Sequence, residues 1–516
     1  MRSNRLVAAV AVLVIAASCS CGRTVPRHPL DLWFYESVNL SRDDAVAQIE
    51  PLWRRAAAAG YTHVVLGDPK LSRPADQDER YHTNAELLAR LAAILHLEIV
   101  PSVFPLGRGQ GAMLVIDPNL AEALPVREAR FVVKSGIAAI EPDPPVTLGP
   151  KPDRVESGMR LGEGLATVND PGGIARMTWN VKVSPFRSYH VSVKVRTMDF
   201  SGEPVLRVSG NRKRLDWTTL RTKSTQDWTA QDVVFDSFDN DEVRIVIGVL
   251  HRGHGIAQWR DWRIEECGPV NLVRRAGAPL AVRDGRSGRA LEEGRDFAPL
   301  ADSLLGNVPW RGQFDVWHRP PQLRTHGLPD GTTLRVSWYQ AAVVSRGQVA
   351  LCLSDTAVKR RLVEEAANTR ALFGSHAAVI VTDEIRAIGW DAACAATGRS
   401  AGRILADHMR SDVAMLRGMD LDVYVWNDMF DPSQNAVADY YLANGDLAGS
   451  WEGLDSSVTV INWNGKHRAE SLRFFARQGH RQVIAAYYDG RPAYVRQDLD
   501  AAAGVPGLTG VMYTTW

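Results

Sequence analysis

Two adjacent carboxylates, Asp383 and Glu384, follow an apolar run at residues 377–381. The length of this run predicts a parallel strand that is covered on both faces. In parallel α/β folds, catalytic groups gather where the strands end, and neighbouring acids there suit glycoside hydrolysis. The same pair also fits a helix start, with Asp383 as the N-cap and Glu384 in the first turn. The pair alone leaves both interpretations open.

Four later apolar segments end in aromatic or hydrogen-bonding residues. In chain order these ends are residues 424–428, 461–464, 486–489 and 513–516. A single tryptophan at a strand end is more often a packing residue, although aromatic faces also suit sugar rings. Four successive strands with the same kind of ending, after an Asp-Glu strand, favour a binding site over a core.

The order Asp-Glu, Trp, Trp, Tyr-x-Asp, Trp on consecutive strand ends resembles the family 20 glycoside hydrolases, the β-N-acetylhexosaminidases. The resemblance implies that Asp383 holds the acetamide nitrogen of the substrate and that Glu384 is the general acid/base. It also implies that Tyr487 hydrogen-bonds the acetamide carbonyl. The further residues that it implies in substrate binding are Trp426, Asp428, Trp463, Asp489 and Trp516. In this chemistry the acetamide oxygen attacks the anomeric carbon, so no enzyme nucleophile is needed and the configuration is retained.

In that family an arginine on the first strand grips sugar hydroxyls, and residues 32–36 contain none. Arg386, directly after the acid pair, is predicted to bind substrate. Arg108 is a second candidate, in the glycine-rich turn 107–111. No Lys-Ser/Thr follows that turn, which argues against a phosphate-binding loop. We interpret the turn as part of the active site.

Two other functions fit the same residues. In one, Glu384 pairs with Glu36 or Asp428 in a two-carboxylate glycosidase that acts on a neutral glycan. Carboxyl separations of about 5–5.5 Å would then indicate a nucleophile, and about 6.5–9.5 Å an inverting enzyme. In the other, the chain is a surface lipoprotein that binds glycans without catalysis.

Alternation of apolar runs and helical stretches predicts the fold around these residues. Residues 32–35, 61–67 and 98–104 are predicted strands with helices between them. The α/β rhythm returns after residue 274, with a predicted strand at 333–339 and a long helix at 356–373 before the strand of the acid pair. This pattern predicts βαβ units and an α/β fold, a (β/α)8 TIM-type barrel. Nine strand candidates are present where eight are needed, so one early candidate must lie outside the barrel or belong to a β-hairpin.

The middle of the chain has a different sequence pattern, with almost no helical periodicity. Residues 157–266 contain short alternating strands separated by turn residues, which is the pattern of an all-β sandwich. Parts of this region resemble the jelly-roll carbohydrate-binding modules of polysaccharide-active enzymes. The predicted organisation is a barrel in two parts, 31–150 and 271–516, interrupted by a sandwich at 151–270, after a signal peptide at 1–19 and a tether at 20–30.

Composition and the N-terminus bear on partners and location. The chain has 60 basic and 59 acidic residues, which does not suggest a nucleic-acid partner. Arg2, Arg5 and a short apolar run predict a signal peptide, and Cys19 lies in a lipobox-like context. We therefore expect an exported protein that binds a glycan and is secreted or held at the membrane by a lipid on Cys19. The remaining cysteines show no close spacing, so neither a disulfide framework, a metal site nor a cofactor is predicted.

Overall fold

The computed structural model describes residues 30–211, 213–314, 317–341, 343–345, 347–487 and 490–514. Within them, no helix combines the length and the apolar character needed to cross a membrane. The predicted signal peptide, the tether up to residue 29 and Cys19 lie outside the described residues.

Eight parallel strands close into a barrel, and they follow one another around it in chain order. Barrel strands 1 to 8 are Asp31–Ser37, Tyr61–Gly67, Glu98–Val103, Ala377–Ile380, Asp422–Trp426, Thr459–Asn462, Gln482–Ala486 and Leu508–Tyr513. Strand 1 pairs with strand 8, from Asp31 opposite Gly510 to Phe34 opposite Tyr513. The prediction of a mixed α/β fold around a closed parallel barrel is confirmed.

The helices around the barrel are fewer than the strands. The longer α-helices are Ala45–Ala58, Glu79–Leu95, Thr356–Phe373, Ala401–Gly418, Arg468–Arg477 and Pro492–Ala501, and the one-turn helices are Met113–Ile116 and Ala392–Ala395. Five 3₁₀ helices complete the described set, namely Pro69–Ser72, Pro74–Asp76, Pro118–Leu120, Asp428–Phe430 and Ser450–Gly453. The connection between strands 5 and 6, residues 427–458, contains two of these 3₁₀ turns and the short strand Leu442–Ala443 in place of an α-helix. Its backbone is therefore available to build the mouth of the barrel.

The helix before strand 4 shows how local sequence sets the element ends. The Asp355 side chain accepts a hydrogen bond from the backbone N–H of Ala357, and Gly374 ends the helix at φ +63°. Both are favoured terminating residues, because a carboxylate caps free N–H groups and glycine adopts the left-handed region without strain. The helix thus delivers the chain directly into the strand that carries the acid pair.

Two five-stranded antiparallel sheets lie between barrel strands 3 and 4 in the chain. In spatial order the first contains Gln226–Asp236, Ser188–Met198, Ile256–Glu266, Leu165–Asn169 and Arg160–Gly162, and the second Arg214–Thr219, Pro204–Ser209, Glu242–Val249, Ala175–Lys182 and Arg154–Val155. Alternate residues of both sheets form one shared hydrophobic core, which includes Val193, Trp259 and Ile245. This is the packing of a β-sandwich.

A further antiparallel sheet of six strands joins the two regions. In spatial order its strands are Ala290–Leu291, Ala281–Asp284, Thr333–Ala341, Ala123–Lys134, Ile137–Ile140 and Leu323–Arg324. Thr333–Ala341 is therefore the ninth candidate, the strand outside the barrel. The predicted boundaries placed this strand and Ala123–Lys134 within the two barrel parts, whereas here they pair with each other. An apolar run of that length does not reveal whether its partner is parallel or antiparallel.

A two-stranded parallel ladder lies beyond the barrel strands. It pairs Ala387–Ile388 with Leu442–Ala443. Because these strands belong to the loops after barrel strands 4 and 5, the ladder fixes those loops to each other close to Arg386.

Candidate functional site

Asp383 and Glu384 lie at the carboxyl end of barrel strand 4, as the sequence predicts. Two backbone hydrogen bonds tie this segment to the chain after strand 3, Val381 N to Val103 O at 2.8 Å and Leu106 N to Val381 O at 3.1 Å. Glu384 has φ +49°, in the left-handed region. No helix begins at the pair, and the next helical turn is Ala392–Ala395, so the helix-start interpretation is wrong.

Gly107 allows the loop after strand 3 to approach the acid pair closely. A Cβ at this position would stand 2.7 Å from the carbonyl oxygen of Asp383 and 3.2 Å from that of Glu384. Gln348 joins the same backbone from another segment, donating from Nε2 to Gly107 O at 2.9 Å and to Glu384 O at 2.7 Å. The left-handed conformation of Glu384 is thereby held from two sides.

Two arginines hold the Glu384 side chain. Arg108 Nη2 and Arg386 Nη2 each donate to Glu384 Oε2 at 2.8 Å. Arg108 Nε also lies 3.7 Å from Asp383 Oδ2. Arg386 is further bound to the Gln348 side chain. Arg386 was predicted to be in the site and Arg108 was a candidate only because of its glycine-rich turn, whereas no sequence signal indicated Gln348.

Burial and neighbouring charges act on the Asp383 carboxyl in opposite directions. Burial raises its pKa, the Arg108 guanidinium opposes this by favouring the charged form, and the neighbouring Glu384 raises it further. The side chains of Asp383 and Glu384 remain 25% and 28% exposed. Both acids are thus open to a ligand.

Asp428 lies beneath the acid pair instead of facing a substrate. It has no exposed surface. Its Oδ2 accepts from the backbone N–H of Glu384 at 2.9 Å and from Asn435 Nδ2 at 2.8 Å, and its Oδ1 accepts from Trp463 Nε1 at 3.3 Å. Burial raises the pKa of Asp428 to about 7, with the nearby charge of Asp383 adding to the effect. Asp428, predicted to bind substrate, is a positioning residue in this geometry.

Aromatic residues form the floor and one wall of the site. Trp426 is only 4% exposed and belongs to the apolar barrel interior together with Trp33 and Tyr35. Trp463 and Tyr487 meet edge to face with ring centroids 6.3 Å apart, and Tyr487 is 38% exposed. The tryptophans predicted to bind substrate are therefore divided, with Trp426 in the barrel interior and Trp463 beside Tyr487. Asp489 and Trp516 lie outside the described residues.

An open pocket borders this wall, and it has a volume of about 350 Å³. Its lining contains Trp463 and Tyr487 together with Ser433, Gln434, Asn464, Gly465, Lys466 and His467. A buried polar network supports it, in which Asp431 Oδ2 accepts from Asn427 Nδ2 at 2.9 Å and from Asn464 Nδ2 at 3.1 Å. Asn427 and Asp431 thus fix the loops of the pocket, and Asn464 joins this network while also lining the pocket.

Tyr35, on barrel strand 1, is a site residue that sequence reasoning missed. Burial raises its pKa to about 12, and the charge of Asp383 contributes in the same direction. Its ring packs over Gly67, where a Cβ would lie only 2.2 Å from the tyrosine hydroxyl. A tyrosine inside an apolar strand has no sequence signal that separates a core ring from a site ring.

The sandwich reaches the rim of the site through stacked cations and rings. The Arg386 guanidinium lies 5.0 Å from the ring centre of Tyr441, and Arg214 lies 5.1 Å from the same ring. Arg214 also stacks on Trp217 at 4.8 Å. Because Arg214 and Trp217 belong to the sandwich, its placement is coupled to that of Arg386.

Neither partner proposed for a two-carboxylate mechanism is placed to act. Glu36 alternates with Tyr35 along strand 1 and therefore points away from the barrel interior. Burial raises the pKa of Glu36 to about 7 in the vicinity of Trp53, a residue of the outer helix Ala45–Ala58. Asp428 has no exposed surface. The geometry therefore gives no support to this alternative.

No protein-family model and no curated protein matches the sequence. Solved structures match parts of it. A family 4 carbohydrate-binding module is 18% identical, with 22% of this chain and 77% of that chain covered and a TM-score of 0.17. A carbohydrate-binding module of Cellvibrio mixtus lichenase 5A in complex with cellotriose is 14% identical. The match covers 24% of this chain and 97% of that chain, with a TM-score of 0.19.

The tandem GH20 catalytic modules of the pneumococcal exo-β-D-N-acetylglucosaminidase StrH also match in part. They are 12% identical, with 33% of this chain and 45% of that chain covered and a TM-score of 0.20. Similarities at these TM-scores carry no argument. The function proposed below rests on the geometry of the site.

Proposed function

We propose that the protein is a glycoside hydrolase that removes terminal N-acetylhexosamine residues from glycans with participation of the substrate acetamide. The observation that carries this proposal is the position of Asp383 and Glu384. They stand side by side, partly exposed, at the carboxyl end of barrel strand 4. Two arginines bind Glu384, and Trp463, which packs on Tyr487, donates to the Asp428 carboxylate that also accepts from the Glu384 backbone.

Each acid has one task in this mechanism. Asp383 accepts the acetamide N–H and turns the acetamide oxygen toward the anomeric carbon. That oxygen forms a bond to the anomeric carbon while the glycosidic bond breaks, and Glu384 gives its proton to the leaving oxygen. Glu384 then takes a proton from the water that opens the cyclic intermediate. Two inversions leave the configuration retained.

The arginines must change partners for this to happen. In the ligand-free protein both guanidinium groups bind Glu384 Oε2. Arg108 is 51% exposed, whereas the Arg386 side chain is only 14% exposed and is also held by Gln348. We therefore assign to Arg108 the movement from Glu384 to a sugar hydroxyl, which leaves the Glu384 carboxyl able to carry a proton.

The aromatic wall supplies the remaining contacts. Tyr487, with its exposed ring edge next to Trp463, is assigned to the acetamide carbonyl, and Trp463 to the apolar face of the sugar. The roles of Asp489 and Trp516 stay predictions, as do export and lipidation of Cys19.

The decisive experiment is hydrolysis of aryl N-acetyl-β-glucosaminide and N-acetyl-β-galactosaminide by the wild type and three variants. We expect Glu384→Gln and Asp383→Asn each to reduce kcat by about 10²–10⁴-fold, the usual loss of a proton-transfer group. Glu36→Gln, a carboxyl of the same barrel end that faces outward, is the matched control and should keep wild-type activity. Turnover limited to sugars without an acetamide would refute acetamide participation.

A second function, glycan binding without turnover, is favoured by one observation. Both arginines hold Glu384 as an ion pair, and charged groups fixed in this way can bind a glycan without proton transfer. Calorimetric titration with N-acetylated oligosaccharides separates the two functions. Measurable affinity together with no hydrolysis of any aryl glycoside would establish the binding protein.

A further inference from the structure

Seven residues beyond Glu384, the chain enters a buried cluster that is separate from the mouth of the barrel. The cluster consists of Glu122, Cys352, Asp391 and Cys394, each at most 1% exposed. One ligand atom from each residue lies within 4.8 Å of those from the other three. Three segments that are distant in sequence therefore place two thiols and two carboxylates around one point.

We propose that this cluster is a structural binding site for one divalent, thiol-preferring metal ion, with Zn²⁺ as the best match. Four ligands of this kind suit tetrahedral zinc, with Zn–S near 2.3 Å and Zn–O of about 2.0–2.2 Å, which separates neighbouring ligand atoms by about 3.3–3.8 Å. To bind the ion, the ligand atoms must approach one another from the observed separations of up to 4.8 Å, which requires side-chain shifts of about 1 Å or less. The thiols select zinc over magnesium or calcium, which prefer oxygen ligands.

The carboxylates of the cluster are already oriented by neighbouring donors. Glu122 Oε1 accepts from the backbone N–H of Trp390 at 2.7 Å, and Asp391 Oδ1 accepts from that of Cys394 at 2.9 Å. Arg275 Nη2 donates to Asp391 Oδ2 at 2.6 Å. Each of these oxygens retains a second lone pair for a metal, and donors of this kind are what holds metal ligands in place.

The charges in the cluster also favour a cation. Four acidic groups lie out of contact with water, and the guanidinium of Arg275 is shared between Asp391 and Asp355. A divalent ion would replace protons in this space. Binding M²⁺ releases the thiol protons of Cys352 and Cys394 and any proton on Glu122 to solvent, without electron transfer.

The position of the cluster indicates what the ion does. Glu122 directly precedes the strand Ala123–Lys134, Cys352 precedes the helix Thr356–Phe373, and Asp391 and Cys394 belong to the loop after barrel strand 4. With no ligand position open to solvent, the ion is a clamp for the loop that carries Glu384 and Arg386. The sequence predicted no metal site because the cysteines lack close spacing, and only the fold brings Cys352 and Glu122 to Asp391 and Cys394.

The first test uses the full chain, reduced and freed of metal with a chelator, and titrated with Co²⁺ and then Zn²⁺. We expect one equivalent of Co²⁺, with thiolate-to-cobalt charge-transfer absorption and the visible bands of tetrahedral cobalt, displaced by one equivalent of Zn²⁺. We also expect Zn²⁺ to raise Tm. Absence of stoichiometric binding by the folded, reduced wild type overturns the proposal, with no variant required.

Variants then locate the ion. Cys352→Ser and Cys394→Ser should each weaken Zn²⁺ binding by at least 100-fold and abolish the cobalt–thiolate absorption. Cys267→Ser is the matched control, because Cys267 is a buried cysteine whose Sγ lies 3.3 Å from Ser188 Oγ, outside the cluster. Glu122→Gln keeps the acceptor for the Trp390 N–H, so it tests the site with little change in volume. It should bind Zn²⁺ more weakly than the wild type.

Two outcomes contradict the assignment. Unchanged binding in both cysteine variants would place the metal elsewhere. A Cys352–Cys394 disulfide found by mass spectrometry, with no metal uptake after reduction, would assign the pair to redox chemistry. Neither result depends on glycoside hydrolysis, so the metal site and the proposed function are tested separately.

Discussion

The mouth of the barrel and the buried cluster both contain paired carboxyl groups, but those at the mouth are partly exposed to solvent and those in the cluster are buried. At the mouth, Asp383 and Glu384 are about one quarter exposed and face two arginines. In the cluster, Glu122 and Asp391 are at most 1% exposed. A carboxylate in contact with water can exchange its partner for a ligand, whereas a buried one is bound to whatever neutralises it.

The arginines of the two regions differ in the same way. The Arg108 side chain is 51% exposed and interacts with the carboxylates of Asp383 and Glu384. Arg275 is 10% exposed and donates to the backbone carbonyls of Asn119 and Ala121 at 2.8 Å and 3.0 Å. Backbone acceptors fix a guanidinium in place, so Arg108 is suited to exchange partners and Arg275 to hold the loop.

The largest expected effect concerns buried acids and pH. Burial raises the pKa of Glu365 to about 8 and that of Asp236 to about 8. The fold therefore favours their protonated forms, and the stability they contribute is present below their ordinary pKa values and lost as pH rises toward 8. For Glu365 alone this amounts to a change on the order of 4 kcal/mol.

Thermal unfolding between pH 5 and pH 8.5 measures this loss. We expect the Tm of the wild type to fall across that range and Glu365→Gln to fall less steeply. Glu364→Gln is the matched control, since Glu364 is an exposed neighbour on the same helix, and its profile should follow the wild type. A Tm that rises with pH would refute the assignment.

The next effect is at the mouth, where Gly107→Ala places a Cβ 2.7 Å from the Asp383 carbonyl oxygen. We expect the acid pair to shift and kcat/KM on the aryl substrates to fall by about 100-fold, as displacements near 1 Å do. Gly162→Ala is the control, because a Cβ there meets nothing within 4 Å. Wild-type kinetics in Gly107→Ala would show that the loop is not tightly packed.

Asp428 stands between the two kinds of acid, since it is buried and yet contacts the site. In Asp428→Asn, the amide nitrogen must face a donor, either the Trp463 indole or the Glu384 backbone. We expect a loss of about 1–3 kcal/mol in the free energy of unfolding, measured by denaturant titration, with a lower kcat. Asp422→Asn, at the exposed start of the same strand, should change neither quantity.

The smallest effect is expected for Arg108→Gln. Arg108 lowers the pKa of Asp383, so its removal lets that pKa rise, and the acid limb of the kcat/KM profile moves to higher pH. The free energy of unfolding should change by no more than about 0.5 kcal/mol, because exposed ion pairs contribute little. Arg90→Gln, in an exposed ion pair on an outer helix, should leave the profile unchanged. An acid limb that stays at the same pH would show that Arg108 does not influence the ionisation of Asp383.

The local hydrophobic pattern of the sequence was enough to predict the positions of the barrel strands. The predicted strand 61–67 and helix 356–373 have the bounds that the structure shows. Apolar runs bounded by turns are set by local backbone preferences and burial, so their positions are readable without a fold. The run at 333–339 was equally clear as a strand, but its pairing with Ala123–Lys134 joins residues far apart in the chain.

The sequence by itself determined where the strands lie and that an acid pair follows strand 4, because both depend on short stretches of chain. Only the tertiary structure decided which polar groups meet. It brings Arg108 to Glu384, withdraws Asp428 from solvent and gathers Glu122, Cys352, Asp391 and Cys394 around one point. Burial and long-range contact set the charge and the accessibility of these groups, and neither is encoded in the spacing of residues along the chain.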